Sequence, residues 1–191
     1  MLRIAIVVVA YLAANTLILI VVGKVFDGKA GAMCEEVVRE HAHRICDMLG
    51  IDMPPIEVVD GFNSKMSNIG GVCEHEVFYG LFVEKRIVVR RVVLYTRAIV
   101  RGAVAKETLP AFIGAFSFRE RMYRMAVKCL AHELRHAWQF KTGWILEHSS
   151  NLMYRGNAFA VDLSMVPYAQ RNEEKDANAF ADEYLQSIRR K

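Results

Sequence analysis

His-Glu-Leu-Arg-His, residues 132–136, is the stretch around which the rest of this chain can be organised. On an α-helix, side chains four residues apart lie on the same face, so His132 and His136 would point in one direction. Two imidazoles at that spacing are suited to binding one metal ion, and Glu133 beside them is placed to act as a general base. The stretch therefore predicts a helix that carries part of a metal site.

The residues around this stretch predict one long, uninterrupted helix. From 119 to 141 the chain contains neither proline nor glycine, and Gly143 follows at a position suited to a left-handed cap. His132, Glu133 and His136 continue an apolar stripe with spacings of three and four. Polar groups that face an apolar interior need partners, and a metal ion would supply them. The alternative is that the two histidines are surface residues of a solvated helix. The apolar members of the stripe are Met122, Met125, Ala126, Cys129, Leu130, Ala137 and Phe140.

A catalytic zinc site takes three protein ligands and keeps one position for water, so a third ligand is expected from another segment. Residues 172–190 predict an amphipathic helix, and Glu174 falls on its apolar stripe near the N-terminus. Glu174 is therefore the favoured third ligand, although a carboxylate in a first helical turn also simply stabilises the helix. Glu173 fits that second explanation equally well and is the next choice. Glu147 and His148 are weaker candidates, in a region without clear periodicity.

Two motifs together resemble a known family of metallopeptidases. The first is His-Glu-Leu-Arg-His-Ala-Trp-Gln at 132–139, and the second is Glu-Lys-Asp-Ala-Asn-Ala-Phe-Ala at 174–181. The pair is similar to the gluzincins, and more narrowly to the minigluzincin group with its ImmA-like and SprT-like relatives. In that group a later Glu-x-x-Ala helix supplies the third zinc ligand. The resemblance covers roughly residues 118 to 185, and it is specific in the two motifs and loose between them.

This resemblance implies both a fold and a reaction. The implied fold is an α+β, zincin-like domain with a small antiparallel sheet, an HExxH active-site helix and a C-terminal ligand helix. The implied ligands of one Zn2+ per chain are His132, His136 and Glu174. Glu133 would act as the general base and the zinc-bound water as the nucleophile in peptide-bond hydrolysis. Asn178 departs from the family pattern, because many gluzincins have an aspartate there that hydrogen-bonds a ligand histidine.

Peptide hydrolysis also needs a donor for the oxyanion of the tetrahedral intermediate. Tyr168 is favoured because it lies just before the Glu174 helix, although a tyrosine there could equally pack that helix against the core. Further candidates are Tyr154, His148 and Arg171. All four lie in segment 144–171, which has no predicted structure of its own and is expected to line the substrate site.

The N-terminus is the second outstanding feature of the chain. Residues 4–23 contain no charged side chain, and as a helix they would be about 30 Å long, the thickness of a bilayer core. We expect residues 1–24 to form a single transmembrane anchor, with the side of the membrane undetermined, and residues 25–191 to form the metallopeptidase domain. The alternatives are a cleaved signal peptide, with its site at Ala30-Gly31-Ala32, and a buried hydrophobic helix.

The segment between the anchor and the HExxH helix predicts one helix and several strands. Residues 32–49 predict an amphipathic helix that Gly50 closes. His41 and His43 lie two apart on this helix, do not share a face, and are expected at the surface. The predicted strands are Ile56–Val59, Val77–Val83 and Ile87–Tyr95, the last two as a hairpin.

Charge offers a different class of function. The net charge is +4, and residues 85–101 carry six basic and no acidic side chains. This segment could bind nucleic acid or anionic lipid, but no nucleic-acid motif accompanies it, and we favour a strand pair with a charged, solvated outer edge. The expected partners are a protein or peptide substrate and the membrane, and no nucleic acid. The alternatives to an enzyme are a non-catalytic, zinc-stabilised binding module and a basic protein that binds nucleic acid or lipid.

Overall fold

The computed structural model describes residues 28–61, 70–78, 86–105, 115–148, 151–154 and 161–189. The segment 1–24, for which the sequence predicts a transmembrane anchor, lies outside these residues. Within the described ranges, no helix is both long enough and apolar enough to cross a bilayer.

The described part of the chain is an α+β structure, as the sequence predicts. Its helices are α1 (28–49), α2 (Thr96–Ala105), α3 (Ala115–Lys141) and α4 (Asn172–Arg189). Gly50 and Gly143, which follow α1 and α3, have φ angles of 63° and 74°. Both glycines thus occupy the left-handed conformation that ends a helix, as their positions in the sequence predict.

The first sheet has the strand order β1-β3-β2, where β1 is Ile56–Val59, β2 is Gly71–Phe78 and β3 is Arg86–Tyr95. The predicted hairpin of Val77–Val83 with Ile87–Tyr95 is confirmed only for residues 77–78, which pair with the start of β3, and residues 79–83 lie outside the described part of the chain. β2 and β3 are antiparallel, while β1 runs parallel to β3. The sheet is therefore mixed, and the expectation of an antiparallel sheet is wrong for it. The reason is that β3 takes a partner on each side, and the direction of the second partner depends on a crossover that local sequence does not encode.

β2 also begins earlier than the apolar run from Val77 predicts. Its pairing with β3 extends back to Gly71 through Glu74, His75 and Glu76. Because these three consecutive residues are polar, the apolar pattern that indicates a strand is absent from this part of β2.

A second sheet lies in the region 144–171, for which the sequence predicts no regular structure. It has three antiparallel strands in the order β4-β5-β6: Ile145–His148, Asn151–Tyr154 and Val161–Asp162. Strands of two to four residues are too short for an alternating pattern to be recognised.

The described part of the basic segment, residues 86–101, does not form a sheet edge, contrary to the expectation from the charges of this segment. β3 is the central strand of its sheet, and the chain continues from β3 directly into α2. Arg91 on β3 forms ion pairs with Glu57 on β1 and Glu74 on β2. Acidic side chains of both neighbouring strands therefore offset part of this positive charge.

α3 is the element that connects the layers of the fold. It packs against β3 and β2 of the first sheet, against α2, and against α4. Met122, Leu130 and Leu134 lie along α3 with at most 1% of their surface exposed. Burial of each such side chain stabilises the fold by roughly 1.5–3 kcal/mol, so the orientation of α3 is strongly fixed. This orientation also sets the direction of His132 and His136.

His41 is buried, and the expectation of a surface position is wrong for it. Only 8% of the residue is exposed. Its Nδ1 lies 2.8 Å from the hydroxyl of Tyr184 on α4, and its Nε2 lies 2.7 Å from the hydroxyl of Tyr123 on α3. The helical period of α1 turns His41 toward two partners that are far away in sequence, while His43 is exposed as expected.

Candidate metal centre

Two imidazoles on α3 and one carboxylate in the first turn of α4 converge on one point. Nε2 of His132 lies 3.0 Å from Nε2 of His136. Oε2 of Glu174 lies 3.2 Å from Nε2 of His132, and Oε1 of Glu174 lies 3.6 Å from Nε2 of His136. The structure thus brings together the three ligands expected from the sequence, as a group that could hold a metal ion.

The geometry of this group suits a tetrahedral ion. Metal–ligand bonds of about 2.0–2.1 Å in tetrahedral geometry place the ligand atoms about 3.3 Å apart. The observed separations of 3.0, 3.2 and 3.6 Å lie around that value. The unprotonated nitrogen of a neutral imidazole and the oxygens of a carboxylate are all acceptors, so three such atoms that converge in this way need a cation or a shared proton between them. The three side chains keep 11–14% of their surface exposed, which leaves the group in contact with solvent.

The three side chains are also electrostatically coupled. Burial disfavours charge on His136, but the hydrogen bond to Glu174 and the charges of Glu133 and Glu174 outweigh it and raise the pKa of His136 to about 9. Burial also acts to raise the pKa of Glu174, but hydrogen bonds from His132 and His136 outweigh it and hold that pKa well below its usual range. Glu174 is therefore ionised at neutral pH, in the form that binds metals.

Glu133 packs against the start of β2. The residue is 6% exposed, and burial raises the pKa of its carboxyl group, opposed by the nearby His136 and His132 and by a hydrogen bond from the backbone of Cys73. A Cβ atom on Gly71 would lie 2.7 Å from Cγ of Glu133, so this close approach depends on glycine. The structure thus holds a carboxyl group of raised pKa beside the two histidines.

Tyr168 lies at the rim of the same group. Its hydroxyl donates a hydrogen bond to Oε2 of Glu174 at 2.8 Å. The residue is 53% exposed, so it does not pack α4 against the core, which was the alternative role for this tyrosine. Burial of the hydroxyl and the nearby Glu174 raise the pKa of Tyr168, which keeps its proton available for donation.

The other candidate oxyanion donors have different surroundings. Nε of Arg171 donates to the carbonyl oxygen of Val166 at 3.0 Å, and the guanidinium lies over the ring of Tyr168. Tyr154 is only 4% exposed, against the ring of Trp144. The side chain of His148 lies outside the described part of the structure.

Neither Glu173 nor Asn178 contributes a side chain to the converging group. Glu173, the second choice for the third ligand, is 3% exposed and lies outside the three-residue group. Asn178 is exposed, and its Nδ2 donates to the backbone carbonyl of Glu174. The position one turn after Glu174 therefore supports the helix backbone and not a ligand histidine.

An amide that the sequence patterns did not predict contacts His136. Oε1 of Gln139 lies 2.7 Å from Nδ1 of His136, and Nε2 of Gln139 donates to Oδ2 of Asp176 at 2.7 Å. A glutamine three residues after His136 lies on the same helix face, so this spacing could have predicted a contact between the two side chains.

Comparison of the chain with protein-family models, with curated proteins and with solved structures yields no match.

Proposed function

We propose that this chain is a zinc-dependent metallopeptidase that cleaves internal peptide bonds of a protein or peptide substrate. The observation that carries the proposal is the convergence of His132, His136 and Glu174 within 4.8 Å of one another, with Glu133 on the same helix. Two imidazoles and one carboxylate form a ligand set used by catalytic zinc sites, which keep a further position open. The resemblance of the two motifs to the minigluzincins supports the same reaction, and with it a zincin-like fold.

Each residue of the site has its own role in the proposed hydrolysis. A zinc ion held by the three ligands would act as a Lewis acid that acidifies water and polarises a carbonyl group. Glu133 accepts the proton of the attacking water and passes it to the leaving amine. The raised pKa of Glu133 suits this role. A group that first accepts a proton and later donates it works best when its pKa lies near the working pH. Tyr168 turns its hydroxyl proton, which is hydrogen-bonded to Oε2 of Glu174 in the structure, toward the developing oxyanion.

The N-terminal segment suggests where in the cell the proposed enzyme is located. Residues 4–23 are uncharged and long enough to span a bilayer, so we propose that residues 1–24 anchor the catalytic domain 25–191 to a membrane. The site would then act on substrates near the membrane surface.

The test is to compare the full-length protein with its Glu133→Gln variant. We expect about one zinc per chain by elemental analysis in both proteins, and cleavage of a denatured protein substrate by the wild type alone. Glu120→Gln is the matched control, because Glu120 is an exposed glutamate on the same helix.

Two outcomes would contradict the proposal. Absence of bound zinc in the wild-type protein would rule out the proposed metal site. Equal behaviour of wild type and Glu133→Gln in every cleavage assay, with zinc bound to both, would identify the site as a non-catalytic one that only stabilises the fold.

A further inference from the structure

Gln139 contacts His136 on the side of the ring that faces away from the metal-ligand group. The residue is fully buried, and its Oε1 lies 2.7 Å from Nδ1 of His136. Its Nε2 donates two hydrogen bonds, to Oδ2 of Asp176 at 2.7 Å and to the backbone carbonyl of Glu173 at 3.0 Å. Both ends of this amide are therefore engaged inside the protein.

These contacts determine which way the amide points. A carboxylate and a backbone carbonyl can only accept hydrogen bonds, so the NH2 group of Gln139 must face Asp176 and Glu173. The oxygen of Gln139 must then face His136, and it can accept a hydrogen bond only if Nδ1 carries the proton. In the neutral imidazole that binds a metal ion, the lone pair then lies on Nε2, which faces the group formed with His132 and Glu174.

Asp176 is itself held in place. Nε and Nη2 of Arg135 donate to its two carboxylate oxygens at 2.8 and 3.0 Å. The guanidinium carbon of Arg135 lies 3.8 Å from the centre of the Trp138 ring, so the arginine is fixed from a second direction. Bidentate arginine–carboxylate pairs are among the stronger and more directional side-chain contacts, and this one fixes the acceptor that Gln139 requires.

We propose that Gln139 is a positioning residue that holds His136 in its Nδ1-protonated form, and that Asp176 and Arg135 set the direction of the Gln139 amide. The inference rests on the metal-binding part of the proposed function and not on proteolysis. It gives α4 a second role, because this helix supplies one ligand through Glu174 and orients another through Asp176.

The first test measures the zinc affinity of the full-length protein by competition with a chromophoric chelator. Gln139→Met removes both sets of hydrogen bonds at nearly constant volume, and we expect zinc binding to weaken about 10- to 100-fold. Gln186→Met, at an exposed position on α4, is the matched control and should bind zinc as the wild type does. Wild-type affinity in Gln139→Met would overturn the inference.

A second pair of variants separates orientation from simple space filling. Gln139→Glu gives His136 a stronger acceptor but directs an oxygen at Asp176 and at the Glu173 carbonyl, so zinc binding should also weaken. Adding Asp176→Asn supplies an amide donor for the new carboxylate and should recover part of the loss. Wild-type affinity in Gln139→Glu, or no recovery in the double variant, would overturn the inference.

A third measurement needs no variant and remains decisive if the substitutions prevent folding. The 15N NMR spectrum of the zinc-loaded wild type should show His136 protonated at Nδ1 and coordinated through Nε2. Coordination through Nδ1 would overturn the inference. A wild type that binds no zinc would overturn both proposals, whereas zinc binding without proteolysis would overturn only the proposed function.

Discussion

The side chain of Glu133 lies so close to the backbone of Gly71 that a Cβ atom at position 71 would force one of the two to move. A Cβ atom on Gly71 would come within 2.7 Å of Cγ and 3.1 Å of Oε1 of Glu133. Contacts under 3.0 Å to such an atom require a displacement, and Glu133 is enclosed in the interior. The first residue of β2 therefore determines where the proposed general base can lie.

Gly71→Ala should for this reason impair catalysis more than metal binding. The added methyl group displaces the carboxylate of Glu133, and a misplacement on the order of 1 Å can lower kcat by about 100-fold. Zinc content should stay near that of the wild type, because the three atoms nearest to a Cβ on Gly71 all belong to Glu133, which is not one of the three converging side chains. Gly61→Ala is the control, since a Cβ there meets nothing within 4 Å. Unchanged kcat in Gly71→Ala would show that the position of Glu133 does not limit the reaction.

Tyr168→Phe tests the proposed oxyanion donor. Loss of one such donor typically lowers kcat by about 100- to 1000-fold, and we expect an effect at the lower end of that range because Tyr168 is half-exposed. The free energy of unfolding should change by less than about 0.5 kcal/mol for the same reason. Steady-state kinetics and thermal denaturation of the same preparations distinguish the two effects. A rise in KM at constant kcat would assign Tyr168 to substrate binding instead.

Glu174→Ala and Glu173→Gln together test the identity of the third ligand. Loss of a directly coordinating carboxylate should weaken zinc binding by more than the roughly 10- to 100-fold typical of residues that only support a ligand. Glu173 lies outside the converging group, so Glu173→Gln should retain zinc. The reverse result in the chelator competition assay would exchange the roles of the two glutamates.

His41 should make the stability of the protein dependent on pH. Burial lowers the pKa of His41 in the folded state below the 6.5 of an ordinary histidine, although Glu40 opposes this shift. Below pH 6.5 the unfolded chain therefore binds more protons than the folded one at this site, so stability falls as the pH falls. The slope is at most about 1.4 kcal/mol per pH unit.

Chemical denaturation of the wild type and of His41→Gln between pH 7.5 and 5 measures this contribution. The variant should be less stable at pH 7.5, because the contacts with Tyr123 and Tyr184 are altered, and it should lose less stability on acidification. His43→Gln, at an exposed position on the same helix, should retain the pH dependence of the wild type. Parallel pH profiles of wild type and His41→Gln would mean that His41 does not titrate differently on folding.

Much of the helical structure could be predicted because helix signals are local. The C-terminal end of α3 follows from Gly143 and the extent of α4 from its apolar stripe, whereas α3 begins at Ala115 and not at the predicted residue 119. The elements that escaped prediction are those without such signals. β2 carries polar residues at its centre, the strands of the second sheet are two to four residues long, and α2 follows β3 without an intervening loop.

The sequence by itself determined that two imidazoles share a helix face and that an amphipathic helix carries a carboxylate for them, because both statements depend only on the helical period. The apolar stripe favoured Glu174 over Glu173, and the tertiary structure confirmed that Glu174 meets the histidines. Tertiary structure alone decided that Gln139 reaches Asp176, 37 residues further along the chain, and that Gly71 bounds Glu133. Such contacts join elements whose relative placement follows from the packing of the whole core, and no local pattern records that placement.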